Sequence, residues 1–132
     1  DHNWKSPELI VQSLVNCVSK NGNLLLNVGP DARGKIPQES VNILTEVGKW
    51  MDMNGESVYG CGAAALAKPD WGRYTQKGNT IYAHWMNPSL GQLNAKGVDA
   101  DQGVEAAKAA KRASLTSLPT ASAQWVAVPC NP

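Results

Sequence analysis

The hydrophobic positions of residues 9–18 repeat at intervals of three and four, which predicts a helix with one buried face. The apolar stripe consists of Leu9, Ile10, Val11, Leu14, Val15, Cys17 and Val18. Ser6 precedes the stripe as an N-cap, and Pro7 and Glu8 suit the first helical turn, where a proline loses no hydrogen bond and an acid meets the positive end of the dipole. Gly22, which tolerates positive φ, is expected at the end of this helix.

A continuous apolar run comes next, with Leu24, Leu25, Leu26 and Val28 between a glycine and the pair Gly29-Pro30. Such a run between turn residues predicts a strand at residues 23–28 that is covered on both faces, as in a parallel α/β sheet. A second helix is predicted from Pro37 to Asn54, with the buried stripe Ile43, Leu44, Val47, Trp50 and Met51. One helix–strand–helix (αβα) unit cannot cover both faces of its own strand, so further elements are required.

The pattern changes at about residue 60. Small residues predict a linker at 61–68, and two β-rich runs, 71–76 and 80–85, surround the turn Lys77-Gly78-Asn79 and predict a β-hairpin. A third strand is expected at 92–95 and one or two more within 114–128, whereas residues 103–115 have high helix propensity in a β context. The predicted fold class is therefore α/β followed by an antiparallel all-β part.

Composition and charge exclude several classes of function. The net charge of +1 gives no electrostatic argument for nucleic acid or an anionic membrane, and no apolar run reaches the roughly 18 residues that span a bilayer. The three cysteines form no CxxC pair and no histidine stands at zinc-site spacing, so we expect no metal, no cofactor and no closed disulfide framework. The opening Asp1 is neither an initiator nor part of a signal peptide, which suggests a chain cut from a longer one.

Two residues after the predicted strand are candidates for chemistry. Asn27 is equally compatible with hydrogen bonding to a ligand and with holding the neighbouring loop. Asp31 lies where barrel enzymes keep catalytic groups, but an acid between Pro30 and Gly34 is favoured as a turn residue. The loop 29–35 fits Gly-x4-Gly-Lys, yet Ile36 replaces the magnesium-binding hydroxyl residue and Pro30 removes an N–H donor, so a phosphate loop is rejected.

The histidines and aromatic residues allow weaker hypotheses. Neither His2 nor His84 has a nucleophile or carboxylate at a motif spacing, so a catalytic triad is not predicted. The aromatic side chains of the predicted hairpin are interpreted as core, with sugar stacking as the alternative. They are Trp71, Tyr74, Tyr82 and Trp85.

Three segments together resemble the α-L-fucosidases of glycoside hydrolase family 29. They are VSKNGNLLLNVGP (18–30), GKIP (34–37) and NGESVYG (54–60), and the hairpin WGRYTQKGNTIYAHW (71–85) is similar to the first strands of that family's C-terminal β-sandwich. The resemblance implies that residues 1–60 are the end of a (β/α)8-like catalytic barrel, with 23–28 as its last strand. It also implies a linker at 61–68 and a partial C-terminal β-sandwich at 69–132.

The same resemblance implies a retaining hydrolase that removes terminal α-L-fucose from glycans. A retaining glycosidase needs a nucleophilic carboxylate and an acid/base carboxylate about 5 Å apart. In the family both lie upstream of the matching segments, so no catalytic residue is assigned and only Asn27 is a candidate for substrate binding. The expected partners are fucosylated glycans and the missing N-terminal barrel, and the expected location is secreted or lysosomal. The alternatives are a free-standing sugar-binding or structural β-module and a non-catalytic remnant of the family.

Overall fold

The computed structural model of the chain describes residues 3–86, 113–114 and 124–130. Two helices, α1 (Pro7–Val18) and α2 (Gln38–Asn54), come first, followed by a short 3-10 helix at Gly55–Ser57. A five-stranded sheet completes the described part of the chain. Its strands are β1 (Gly62–Ala63), β2 (Gly72–Lys77), β3 (Thr80–Trp85), β4 (Ala113–Ser114) and β5 (Gln124–Pro129).

Helix α1 begins as its sequence predicts. The Ser6 hydroxyl accepts a hydrogen bond from the backbone N–H of Leu9 at 3.3 Å, and Pro7 is the first helical residue. The buried stripe is narrower than expected, since Leu9 is 52% exposed. The positive φ at the end of the helix belongs to Asn21 (59°) rather than to Gly22. Gly22 instead brings its backbone so close to α1 that a Cβ atom would lie 3.2 Å from the Cys17 carbonyl oxygen.

Helix α2 matches its predicted bounds to within one residue, with Pro37 as the N-cap. It packs against α1, and Trp50 is completely buried where the helices meet the sheet. The main core cluster takes residues from α1, α2, the 3-10 turn, β3 and the end of β5. Its buried members are Val11, Val15, Val18, Trp50, Val58, Tyr82, Val128 and Cys130.

The strand predicted at residues 23–28 is not formed in this structure. The segment forms neither helix nor strand, and Leu25 is 96% exposed. A strand exists only through hydrogen bonds to its neighbours, and a strand covered on both faces also needs helices on each side. Within the described residues no strand pairs with this segment, so the helix–strand–helix unit lacks its strand. The two helices of the α/β part are nevertheless present.

The β-hairpin is confirmed, with β2 and β3 antiparallel in a register that runs from Gly72 opposite Trp85 to Lys77 opposite Thr80. Gly78 supplies the positive φ of the turn (57°). Gly72 lies so close to the neighbouring strand that a Cβ atom would overlap the carbonyl oxygen of His84. The hairpin therefore depends on glycine at two positions for two different reasons.

The expected antiparallel pairing is present for β1, β2 and β3 and for β4 with β5, but one pair of strands in the sheet is parallel. Its strand order is β1-β2-β3-β5-β4, and β3 and β5 are parallel, with Thr80 opposite Gln124. Parallel neighbours require a long connection, and the chain between residues 86 and 124 is long enough to make one. Strand β1 lies in the segment predicted as a linker. The strand expected at 92–95 and most of the segment 103–115 lie outside the described residues.

Candidate functional site

A groove of about 460 Å³ lies between α1, α2 and residues 25–29. Its walls are mainly apolar, and the residues that matter most here are Trp4, Ile10, Leu26, Asn27, Ile43 and Leu44. Asn27 is exposed and lines this groove. Within the described part of the chain its side-chain amide makes no hydrogen bond, so it does not tie down the following loop. It is therefore free to bond with a ligand or with another segment of polypeptide.

Asp31 organises the loop that follows the groove. Its carboxylate accepts hydrogen bonds from the backbone N–H groups of Arg33 (2.8 Å) and Lys35 (2.9 Å). The bond from Lys35, followed by that from Arg33, holds the pKa of the Asp31 carboxyl below its usual value. Gly34 closes the turn with a φ of 79° and donates its N–H to the Asp31 carbonyl at 2.9 Å. The geometry is that of a turn residue, the interpretation favoured from the sequence.

His84 is fully buried at the centre of a short polar chain. The Thr75 hydroxyl donates to the Ser57 carbonyl oxygen at 2.7 Å, so it accepts from Nε2–H of His84 at 2.8 Å. This arrangement leaves Nδ1 unprotonated, facing the Cys130 Sγ at 4.0 Å. Burial lowers the pKa of His84 to about 3, so the ring is neutral at physiological pH. His84 is a satisfied core histidine rather than an accessible acid or base.

The Thr75–His84 contact was missed from the sequence, although a signal for it was present. In the observed hairpin Thr75 stands opposite Tyr82, so His84 is its diagonal neighbour on the same face of the sheet. A polar pair placed diagonally on a buried face is expected to form a hydrogen bond. Finding it requires Lys77 to pair with Thr80, whereas the sequence prediction placed Lys77 in the turn.

The aromatic residues of the hairpin belong to the core. Trp71, Tyr74 and Tyr82 are 4%, 8% and 5% exposed, and the Trp71 and Tyr74 rings meet edge to face at 5.5 Å. Rings buried to this extent offer no face for a sugar to stack on. Trp85 is half-buried. The interpretation of these residues as core, preferred from the sequence, agrees with their burial.

Residues 3–86, 113–114 and 124–130 show no metal centre and no membrane-spanning helix. In that part of the chain no three side chains of the metal-binding types come together as a cation site. No helix there has the length and apolar character needed to cross a membrane.

Comparison with known proteins agrees with the motifs in residues 18–60. Residues 1–56 match the family model described as alpha-L-fucosidase. Over these residues the chain is similar to the α-L-fucosidase family. Both the groove and Asn27 lie within the matched residues.

Individual fucosidases extend the similarity beyond residue 56. The human tissue alpha-L-fucosidase is 39% identical over 94 residues, covering 64% of this chain and 19% of the human protein. The structure of alpha-L-fucosidase isoenzyme 1 from Paenibacillus thiaminolyticus is 60% identical with a TM-score of 0.70, covering 74% of this chain and 23% of that one. The structure of the Thermotoga maritima alpha-fucosidase in complex with fucose is 40% identical with a TM-score of 0.55. The match covers 60% of this chain and 20% of that one.

The chain is much shorter than these fucosidases. It spans between 11% and 20% of the length of the curated relatives it matches. The similarity therefore covers only a short section of these fucosidases.

Proposed function

We propose that this chain is a C-terminal portion of a retaining α-L-fucosidase that hydrolyses terminal α-L-fucosyl linkages of glycans. In this proposal residues 1–60 end a (β/α)8-like catalytic barrel, 61–68 form a linker, and 69–132 contribute part of a C-terminal β-sandwich. The observation that carries the proposal is the match of residues 1–56 to the fucosidase family model.

The exposed apolar segment beside the groove supports this placement. Leu25 is 96% exposed and Leu26 37% exposed, although the run in which they lie has the composition of a strand covered on both faces. Burying one large aliphatic side chain stabilises a protein by about 1.5–3 kcal/mol. Neighbouring barrel strands would pair with this segment and cover these side chains. The N-terminal barrel is thus the first expected partner of the chain.

Asn27 is the residue for which we propose a role in substrate binding. In barrel enzymes the active site is built at the carboxyl ends of the strands, and Asn27 precedes the last residue of the proposed strand. Its amide can both donate and accept hydrogen bonds, as a sugar hydroxyl requires. We assign neither of the two carboxylates of a retaining glycosidase to this chain. Fucosylated glycans are the proposed substrates, and the fucose-bound Thermotoga maritima relative supports that class.

An assay with a chromogenic α-L-fucoside tests the proposal. We expect no turnover by the 132-residue chain alone, and turnover when a polypeptide supplies the N-terminal barrel of a family member. In the complemented enzyme Asn27→Ala should lower kcat/KM about tenfold, the effect of losing one or two hydrogen bonds, whereas Asn23→Ala should not. Turnover by the chain alone that is abolished by one carboxylate substitution within it would refute the proposal.

A sugar-binding module and a non-catalytic remnant are the alternatives. Sugar stacking on Trp71 is disfavoured because its side chain is only 4% exposed, which leaves the half-buried Trp85 as the candidate ring. Calorimetry with fucose would favour the module if the chain alone shows saturable binding that Trp85→Ala removes. Complementation of activity by the barrel would exclude the remnant.

A further inference from the structure

Three cationic side chains line a second, smaller cavity. Lys20 follows α1, Lys68 precedes β2, and Arg73 lies on β2. Together with Ser19 and Tyr74 they border a volume of about 100 Å³, here called the basic pocket. The basic pocket shares no lining residue with the groove around Asn27.

The positive charge of the basic pocket has no carboxylate counterpart in the part of the chain that the structure describes. The ion pairs found there join Arg33 to Asp31 and Lys49 to Glu46, and neither involves a residue of this pocket. Asp70 stands only two residues after Lys68, but the ion pairs within the described residues do not join the two. Like charges placed around one cavity repel each other, and a bound anion would remove that repulsion.

Arg73 is oriented before any ligand arrives. Its Nε donates to the Asn16 side-chain oxygen at 2.8 Å, and its Nη1 donates to the Gly72 carbonyl oxygen at 2.7 Å. Nη2 makes no hydrogen bond within the described residues and keeps two N–H donors. A guanidinium held in this way loses little conformational freedom when it binds an oxyanion.

The size and walls of the basic pocket suit a small anion. A cavity needs about 10–15 Å³ to hold one water molecule. The basic pocket, at about 100 Å³, therefore admits a group of several heavy atoms. Burial raises the pKa of the Tyr74 hydroxyl to about 12, so this wall adds no negative charge that would oppose an anion. We propose that the basic pocket binds a single oxyanion, either a free inorganic anion or the sulfate ester of an acidic glycan.

Calorimetry on the full 132-residue chain tests the proposal at constant ionic strength, with chloride as the balancing salt. The probes are inorganic sulfate, inorganic phosphate, a sulfated monosaccharide and the same monosaccharide without sulfate. We expect saturable binding of the sulfate-bearing probes and none of the unsulfated sugar. A sulfated sugar that binds more tightly than inorganic sulfate supports the glycan as the source, and equal affinity supports the free anion.

Charge-matched variants show whether the named residues are responsible. Lys20 and Lys68 are both exposed, so Lys20→Gln/Lys68→Gln should fold normally, and we expect its sulfate affinity to fall about tenfold or more. The control Lys35→Gln/Lys49→Gln removes the same charge elsewhere and should stay within twofold of the unchanged chain. Equal losses in both variants, or no sulfate binding by the unchanged chain, would overturn the proposal. Neither result depends on fucosidase activity.

Discussion

At the scale of single residues, His84 shows how this fold encloses an ionisable ring. Its Nε2–H is satisfied by Thr75, which in turn donates to the backbone of the 3-10 turn. Because the hydrogen-bond chain ends on a carbonyl oxygen, the direction of every donor in it is determined. The neutral ring is part of the packing and would be costly to charge.

The first prediction concerns pH. Burial lowers the folded-state pKa of His84 to about 3, whereas an unfolded histidine titrates near 6.5, so the unfolded chain binds this proton first. The stability contributed by the neutral ring is therefore fully present above about pH 6.5 and is lost progressively as the pH falls toward 3. Urea unfolding at several pH values measures this loss.

The control for the pH prediction is His84→Gln, whose amide keeps a donor for Thr75 but does not titrate. We expect the free energy of unfolding of this variant to fall less between pH 6.5 and 4 than that of the unchanged chain. Equal pH dependence in the two proteins would mean that His84 is not the group responsible.

A matched pair of glycines gives the second prediction. A Cβ at Gly72 would overlap the His84 carbonyl oxygen, whereas a Cβ at Gly48, inside α2, meets no atom within 4 Å. Gly72→Ala should therefore destabilise the chain by about 1–3 kcal/mol or more, since backbone must move. Gly48→Ala should stabilise it by about 0.5–1 kcal/mol through helix propensity. Thermal unfolding should show a lower Tm for Gly72→Ala and a higher Tm for Gly48→Ala than for the unchanged chain. Shifts of both Tm values in the same direction would contradict this prediction.

At the scale of elements, the third prediction tests the packing of α2. Trp50 is completely buried and Met53, one turn later on the same helix, is 67% exposed. Trp50→Ala should cost about 3–5 kcal/mol in the free energy of unfolding, through lost burial and the cavity left behind. Met53→Ala should change it by about 0.5 kcal/mol or less. Denaturant unfolding of the pair gives the difference, and similar losses would show that α2 is not anchored through Trp50.

The elements that could be predicted from the sequence are those whose hydrogen bonds are local. Helices α1 and α2 make their own hydrogen bonds, and the hairpin needs only a short turn, so periodicity and capping residues were sufficient. The segment 23–28 was predicted from burial that other polypeptide must provide, and within the described residues none does. The parallel pairing of β3 with β5 depends on a distant partner, which no local pattern reveals.

The groove around Asn27 and the basic pocket also differ in how far the sequence alone predicts them. Asn27 was predicted from the sequence because the prediction depends only on its position at the end of an apolar run. The basic pocket was not, because Lys20 is distant along the chain from Lys68 and Arg73. Their cavity is created by the packing of α1 against β2, a contact that hydrophobic periodicity does not specify.

At the scale of the whole molecule, the exposed leucines give the fourth prediction. Leu25 is 96% exposed within the apolar run of residues 24–28, and exposed apolar surface promotes self-association. Leu25→Lys should reduce the aggregated fraction of the isolated chain, as measured by light scattering. The control Met53→Lys adds the same charge at another exposed apolar site and should have a smaller effect. A sharp two-state melt of a monomeric, unmodified chain would contradict the prediction.

The position of β5 in the sheet also affects how the chain folds during synthesis. β5 pairs with β3. The side chains of Val128 in β5 and of Cys130 just after it are buried in the same core cluster as Trp50. During synthesis the helices and the hairpin leave the ribosome first, but the core cluster stays open until residues 124–130 emerge. A chain stalled or cleaved before that point would display β3 as an unprotected edge, an obvious target for chaperones and quality-control proteases.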